Sequence, residues 1–213
     1  LQQLAAVAGG AEMLLYVQVT RGAETGRNHL FPRPATPTVF AFASSYPLPT
    51  AKTLDEGLGA ITLEDIRWAR CDIKSIALLA NVLLRQEAAD RGADEALLVR
   101  DGLLLEGSSS SVLLCIGGTL VTPPNDHGIL PGTSRDAVLE LAQGWLPSQV
   151  CPLEARELAS CDEVWIASAG RGVLPVSRVD GAPVGAGRPG PLWREMYDRL
   201  QQHLDVIAAT PAL

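Results

Sequence analysis

Apolar and polar positions along the chain change period several times, and each change marks an element. Met13 to Thr20 (MLLYVQVT) is short and rich in β-branched and aromatic residues, which predicts a strand ending at Arg21-Gly22. Gly22 to Pro34 has no period and reads as a loop of a length that is often functional. A second apolar stretch, Thr38 to Ala43, runs into SSYPLPT, whose prolines exclude a helix interior or a central strand, so residues 44–50 are read as an interdomain linker. From Ile73 to Arg91 the residues Ile76, Ala77, Ala80, Leu83, Leu84 and Ala88 recur at helical spacing, and Gly92 supplies the stop. Glu95 to Val121 predicts short strands joined by turns at Asp101-Gly102 and Gly117-Gly118. Ser134 to Trp145 is helical again through Val138, Leu141 and Ala142, and Glu163 to Ala167 reads as a buried strand. The Gly- and Pro-rich stretch from Gly181 to Pro191 reads as a surface turn before a last helix, Leu192 to Val206. Helices mixed with consecutive hairpins predict an α+β domain rather than a doubly wound one.

Composition narrows the function classes. A hydrophobic content of 47% over 213 residues is enough for a substantial core. Seventeen Lys plus Arg against 24 Asp plus Glu leave a net charge of -7, a field that repels nucleic acid and anionic membrane surfaces. Cys71, Cys115, Cys151 and Cys161 form no CxxC pair, so no metal site is expected and a reduced, cytoplasmic protein is the plain reading. No apolar run approaches the roughly 20 residues that cross a bilayer, and the first residues lack a signal-peptide pattern. The chain starts at Leu1 rather than Met, which is read as the mark of a truncated product or gene fragment.

Several residues could carry chemistry. Lys74, in CDIKSIALLAN, precedes an apolar helix and would sit at the edge of a dry core, where desolvation favours the neutral amine that reacts with an aldehyde. Taken alone, it is more simply a lysine that snorkels to solvent. Glu106, in LLLEGSSSSVLL, is a carboxylate in an apolar strand; if buried it needs a cationic or hydrogen-bonding partner, and otherwise it is a hairpin glutamate facing water. Thr133 and Ser134 follow the Pro131-Gly132 turn at a helix start, which makes either an anion site or an ordinary Ser N-cap; Arg135 faces the anion or the solvent. Ser168, Ala169 and Gly170 form a small-residue turn after the strand EVWIA, where backbone can approach a phosphate closely. Arg27 and His29, in GRNHLFP, place two potential cations in the long loop, a pairing suited to a carboxylate or simply to solvent. His127 and His203 read as a loop residue and a surface helix residue.

Taken together, YVQVTRG, GRNHLFP, EDIRWARCDIKS, LLLEGSSSSV, GILPGTSRD and WIASAGRGVLPV resemble the D-amino-acid aminotransferases, in the same order and at similar spacing, from about Met13 to Val176. These are fold-type IV pyridoxal-phosphate enzymes, a class that also holds branched-chain aminotransferases, R-selective amine transaminases and aminodeoxychorismate lyases. The resemblance implies residues 1–43 as a remnant of a truncated small N-terminal α/β domain and residues 51–213 as a complete C-terminal cofactor-binding domain. It implies that Lys74 holds pyridoxal 5'-phosphate through a Schiff base and moves the substrate Cα proton, and that Glu106 pairs with the ring nitrogen. Thr133, Ser134 and the turn Ser168, Ala169, Gly170 would hold the phosphate. Tyr16, Arg27 and His29 would bind the substrate α-carboxylate, reaching it from the neighbouring subunit of a homodimer. The spaced Arg-x-His pair points to the D-amino-acid branch. GTSR, Ala169 and Ser111 depart from the family pattern without removing a reacting group. The activity implied is transamination between a D-amino acid such as D-alanine and a 2-oxo acid such as 2-oxoglutarate. The alternatives are another activity of the class, or an inactive fragment that keeps part of the pocket.

Overall fold

The computed structural model describes residues 3–4, 13–24, 26–27, 29–46 and 48–209, so Pro47 of the expected linker and residues 1–2, 5–12, 25 and 28 of the expected remnant lie outside the described residues. Two compact units divide the chain, residues 1–48 and 49–213.

In the first unit, β1 (Met13–Thr20) pairs antiparallel with β2 (Thr38–Ser45) in the register Tyr16↔Phe42 and Gln18↔Phe40. The strand β2 takes in Ser44 and Ser45, the first two residues read as linker, because both remain paired to β1. The cross-strand partners Tyr16 and Phe42 stack at 5.1 Å between ring centroids, and this contact pins the register.

The second unit contains α1 (Ala51–Glu56), β3 (Leu58–Glu64), α2 (Leu79–Asp90), β4 (Glu95–Arg100), β5 (Leu103–Gly107), β6 (Ser111–Ile116), β7 (Thr119–Thr122) and α3 (Thr133–Ala142). After these come β8 (Ser148–Val150), β9 (Leu153–Glu154), a 3-10 turn (Ala155–Ala159), β10 (Glu163–Ser168), β11 (Gly172–Val179), β12 (Ala182–Pro183) and α4 (Pro191–Ala209). The strands form one sheet in the order β8-β7-β6-β10-β11-β3-β4-β5-β9, with β12 beside β11. Most pairs are antiparallel, while β11–β3, β3–β4 and β7–β8 are parallel. The predicted α+β class therefore holds, and both predicted turns form: Asp101 and Gly102 have φ of 53° and 79°, Gly117 and Gly118 of 55° and 76°.

Period-two alternation places the core. Val112 and Leu114 of β6 join Val164 and Ile166 of β10 in a cluster built almost wholly from strands, around which the sheet curls. Leu113, Cys115, Trp165 and Ala167 point the other way, onto Val138 and Ala142 of α3 and Trp193, Met196 and Leu200 of α4. Leu84 and Ala88 of α2 cover Ala96 and Leu98 of β4 separately. The central strands are thus buried on both faces and show no apolar-polar alternation. β3 and β11 accordingly escape a periodicity reading, whereas α1 and the two- or three-residue strands β8, β9 and β12 are too short to show a period. The last of these lies within the stretch read as a plain turn.

One helix is shorter than its apolar spacing predicts. It begins at Leu79 instead of Ile73, and it ends as expected, with Gly92 at φ 75° just beyond the cap. Residues 73–78 make local bonds in place of a helical ladder: Ile73 N–H donates to Arg70 O, Ala77 N–H to the Ser75 hydroxyl and Leu78 N–H to Ile76 O. A serine that offers its hydroxyl to a nearby N–H competes with helix propagation. The apolar residues of this segment are consequently not core, and Ile76 is 65% exposed.

The start of α4 depends on one buried carboxylate. Glu163 accepts the N–H groups of Leu192 at 3.0 Å and Trp193 at 2.8 Å, and the indole N–H of Trp165 at 2.9 Å. The approach is so close that a Cβ on Gly190 would lie 2.1 Å from the Glu163 carboxyl. Glu163→Ala leaves three donors without their acceptor, two of them buried, and is expected to lower stability by about 3 kcal/mol, measured by urea denaturation.

Candidate active site

A cavity of about 710 Å³ opens in the second unit, inside the roughly 300–1,000 Å³ usual for small-molecule sites. Its walls come from the loop after β3, the α2 helix, the β5–β6 hairpin, the first turn of α3 and the end of β10. Lys74, Glu106, Thr133, Ser134, Ser168 and Ala169 all line it, so residues singled out from four separate segments of the sequence converge on one space. Lys74 differs from expectation in its setting: it lies in the irregular segment before α2 and is exposed rather than at the edge of a dry core.

Glu106 is 6% exposed and meets the need for partners that its burial creates. Arg67 Nη1 donates to Glu106 Oε1, and Leu130 N–H donates to Oε2 at 3.1 Å. Arg67 also grips Asp65 through Nε at 2.9 Å and Nη2 at 3.0 Å, while Arg100 Nη2 donates to Asp65 at 2.7 Å. Charges of alternating sign therefore run Glu106, Arg67, Asp65, Arg100. Burial pushes the Glu106 carboxyl above its ordinary range, against the opposing charge and hydrogen bond of Arg67. Burial also pushes Asp65 upward, but the hydrogen bonds and charges of Arg67 and Arg100 outweigh it and hold that carboxyl below its ordinary range. In Arg67 itself the pull of Asp65 and Glu106 overcomes burial and keeps the guanidinium charged. A protonated ring nitrogen against Glu106 would add to the forces that keep this carboxylate ionised, so the donor set fits a pyridinium.

Gly132, and not Ser134, caps α3, which leaves Thr133 and Ser134 as the first two helical residues, with N–H groups that have no intrahelical acceptor. Arg135 faces neither anion nor solvent. It is 3% exposed and turns inward, donating to Pro123 O at 2.8 Å, Thr122 Oγ1 at 3.3 Å and Asp136 at 2.7 Å. It thereby ties the start of α3 to the end of β7. Ser111 joins the neighbouring parts: it pairs with Ala167 across the sheet, and its hydroxyl lies 2.5 Å from where a Cβ on Gly132 would be. Beyond Ser168, Arg171 N–H closes the turn onto Ser168 O at 3.2 Å, and Gly170 in that turn is not among the lining residues.

Tyr16 on β1 and Arg27 and His29 in the loop after it belong to the first unit, and all three are exposed. His127 is an exposed loop residue whose Nδ1 lies 3.3 Å from Asp72, and His203 is exposed on α4. Sequence reasoning missed Arg67, Asp65 and Glu95. The Asp-x-Arg pair shortly before Lys74 was a usable signal, since Glu106 required a cation. Glu95 opens the apolar strand EALLVR and is fully buried, bonded to the serine run and to Arg171. Among the described residues no cluster of three or more His, Cys, Asp or Glu could hold a metal ion, and no helix is long and apolar enough to cross a membrane.

Comparison with known proteins bears on this geometry. The family model for amino-transferase class IV matches residues 1–179. The D-alanine aminotransferase of Bacillus licheniformis is 40% identical over 191 residues, covering 89% of this chain and 67% of that protein. That of Staphylococcus haemolyticus is 37% identical over 193 residues, covering 90% and 68%. Among solved structures, the T.th. branched-chain amino acid aminotransferase with pyridoxamine 5'-phosphate superposes with a TM-score of 0.82 at 25% identity, over 92% of this chain and 67% of that one. The Escherichia coli branched-chain enzyme does so with a TM-score of 0.76 at 26% identity, over 86% and 63%. The chain thus spans somewhat less than two thirds to about two thirds of the length of the proteins it matches. A family match over most of the chain, identity at 40% and a shared curled-sheet fold agree with one another: this chain belongs to the class IV aminotransferase family.

Proposed function

We propose that the protein takes part in pyridoxal-phosphate-dependent transamination between a D-amino acid, such as D-alanine, and a 2-oxo acid, such as 2-oxoglutarate. The observation that carries this reading is a single cavity lined at once by Lys74, by the buried Glu106 and by the first turn of α3. When bound, the cofactor supplies an aldehyde that captures an amino group and a ring that takes up the electron pair left as a Cα proton departs.

Each residue then has a defined task. Lys74 Nζ would hold the cofactor through its aldehyde carbon and, as the free amine, would carry the substrate Cα proton. Glu106 would accept a hydrogen bond from the ring nitrogen and keep its proton there, while Arg67 holds the carboxylate in place. The N–H groups and hydroxyls of Thr133 and Ser134, with the hydroxyl of Ser168 and the backbone N–H of Ala169, would bind the phosphate dianion; Gly170, outside the cavity wall, shapes the turn that presents them. Tyr16, Arg27 and His29 bind the substrate α-carboxylate, reaching it from the second subunit of a homodimer, with the Arg27 guanidinium supplying the positive charge and the other two hydrogen-bond donors.

Dimer formation accounts for a feature that a monomer leaves unexplained. Ile76, Leu79, Val82 and Leu83 are between 53% and 73% exposed on and just before α2, beside the cavity. Such a face is costly to leave in water, and a second copy of the chain is the proposed cover.

Two outcomes test these assignments. Borohydride treatment with pyridoxal phosphate present is expected to fix a phosphopyridoxyl group on the Lys74 peptide, and Lys74→Ala to lose both the label and about 10⁴-fold in transfer from D-alanine to 2-oxoglutarate. Label at another lysine, or turnover confined to branched L-substrates, would end the reading in its present form. In sedimentation, the unmodified chain is expected as a dimer and the double variant Leu79→Asp, Leu83→Asp as a monomer; an unchanged dimer in the variant removes α2 from the interface.

A further inference from the structure

Two cavity-lining loops are fastened to each other by side chains that have no task in the scheme above. Glu95 opens β4 with its carboxylate fully enclosed. Oε1 accepts the N–H of Ala96 at 3.1 Å, the N–H of Ser108 at 3.2 Å and the Ser108 hydroxyl. Oε2 accepts the Ser110 hydroxyl at 3.1 Å and Arg171 Nη2 at 2.7 Å. The same Nη2 reaches Ser109 Oγ at 3.2 Å. Arg171 belongs to the turn after β10, so its ion pair joins that turn to β4, and the serine hydrogen bonds to Glu95 and Arg171 tie the β5–β6 loop to the same pair. The loop is drawn tightly over the carboxylate: a Cβ on Gly107 would lie 2.2 Å from Ser110 Oγ and 3.3 Å from Glu95 Cδ.

An apolar pair of similar size would stabilise such a position at least as well, because burying two charges costs about what their attraction returns. What an ion pair adds is direction. Five donors of fixed geometry around one carboxylate leave the loop a single conformation. The segments joined are the ones that matter for a ligand: residues 108–111 and 168–169 line the cavity, and Ser111 lies against Gly132 at the start of α3. Neither Glu95 nor Arg171 lines the cavity, so both act through the loops they hold.

We infer that Glu95 and Arg171 are positioning residues for the anion-binding end of the site, setting the separation of the 108–111 loop and the 168–171 turn so that their polar groups converge on a phosphate ester together with α3. This deepens the cofactor reading and rests on it. The role is indirect, and its signature is a loss that depends on the phosphate alone.

The test titrates the 213-residue chain with pyridoxal 5'-phosphate and, separately, with pyridoxal, following quenching of tryptophan fluorescence; Trp68 lies on the cavity wall. Arg171→Met removes the clamp from its partly exposed side, and Glu95→Gln keeps the volume while removing the charge. Thermal unfolding establishes that each variant folds, and where Glu95→Gln does not fold, Arg171→Met decides. Arg171→Met is expected to bind pyridoxal phosphate about tenfold more weakly, the effect of losing one charge-assisted hydrogen bond, while pyridoxal binding stays unchanged. Hydrogen exchange at residues 108–110 and 168–171 should quicken together. Unchanged affinity for pyridoxal phosphate, or an equal loss for both ligands, overturns the positioning role and leaves the cofactor reading intact. An unmodified chain that binds neither ligand, or does not prefer the phosphorylated one, overturns the cofactor reading and this inference with it.

Discussion

The ion-pair chain Glu106, Arg67, Asp65, Arg100 is the constraint around which the second unit is organised. Each carboxylate in it is buried, and a buried charge stripped of its partner costs several kcal/mol, so the four groups must be brought together whenever the fold forms. They come from the loop after β3 and from β4 and β5, which are neighbours in the sheet. Satisfying them fixes the entry of the Lys74 segment, because Arg67 also donates to Gly128 O at 3.1 Å and Cys71 N–H donates to His127 O at 2.9 Å. The position of the amine in the cavity wall therefore follows from electrostatics several residues upstream.

A second carboxylate works in the same way at the other end of the cavity. Glu95 is saturated by the serine run and Arg171, just as Glu106 is saturated by Arg67 and Leu130 N–H. Glu163 repeats the device away from the site, at the start of α4. In each case a buried acid is held by several donors from different segments, which offsets desolvation and selects one arrangement of loops. The apolar clusters supply the bulk of the driving force, and these acids decide which loop conformation accompanies it.

Burial and direction also separate what the site uses from what only supports it. Arg135 stands next to two residues proposed to hold the phosphate, yet it is turned inward onto Thr122 and Pro123 and serves the packing of α3. The buried thiols are equally uninvolved: burial pushes Cys161 up to about 11 and Cys115 further, so neither is a nucleophile at neutral pH. Exposed apolar residues on α2 are the counterpart, the face for which a second copy of the chain is proposed as the cover.

Local signals read correctly from the chain alone were those whose physics is local. Asp101-Gly102 and Gly117-Gly118 turned because those residues accept positive φ, Gly92 ended α2 for the same reason, and β1, β10 and α4 followed their apolar runs. Lys74, Glu106, Thr133, Ser134 and Ser168 each had a plainer reading taken alone; the order of the motifs along the chain singled them out, and the fold brings them to one cavity. Tertiary structure alone decided the rest. The strands β3 and β11, which carry apolar residues toward both sides of the sheet, show no period to read, and the helical spacing from Ile73 to Leu78 was overruled by turns that present Lys74 to the cavity. The Asp65-x-Arg67 pair offered a candidate cation for Glu106, but that the two meet, and that Glu95 is enclosed rather than solvated, depended on groups 39 and 76 residues away in the chain, and no local pattern contains such a distance.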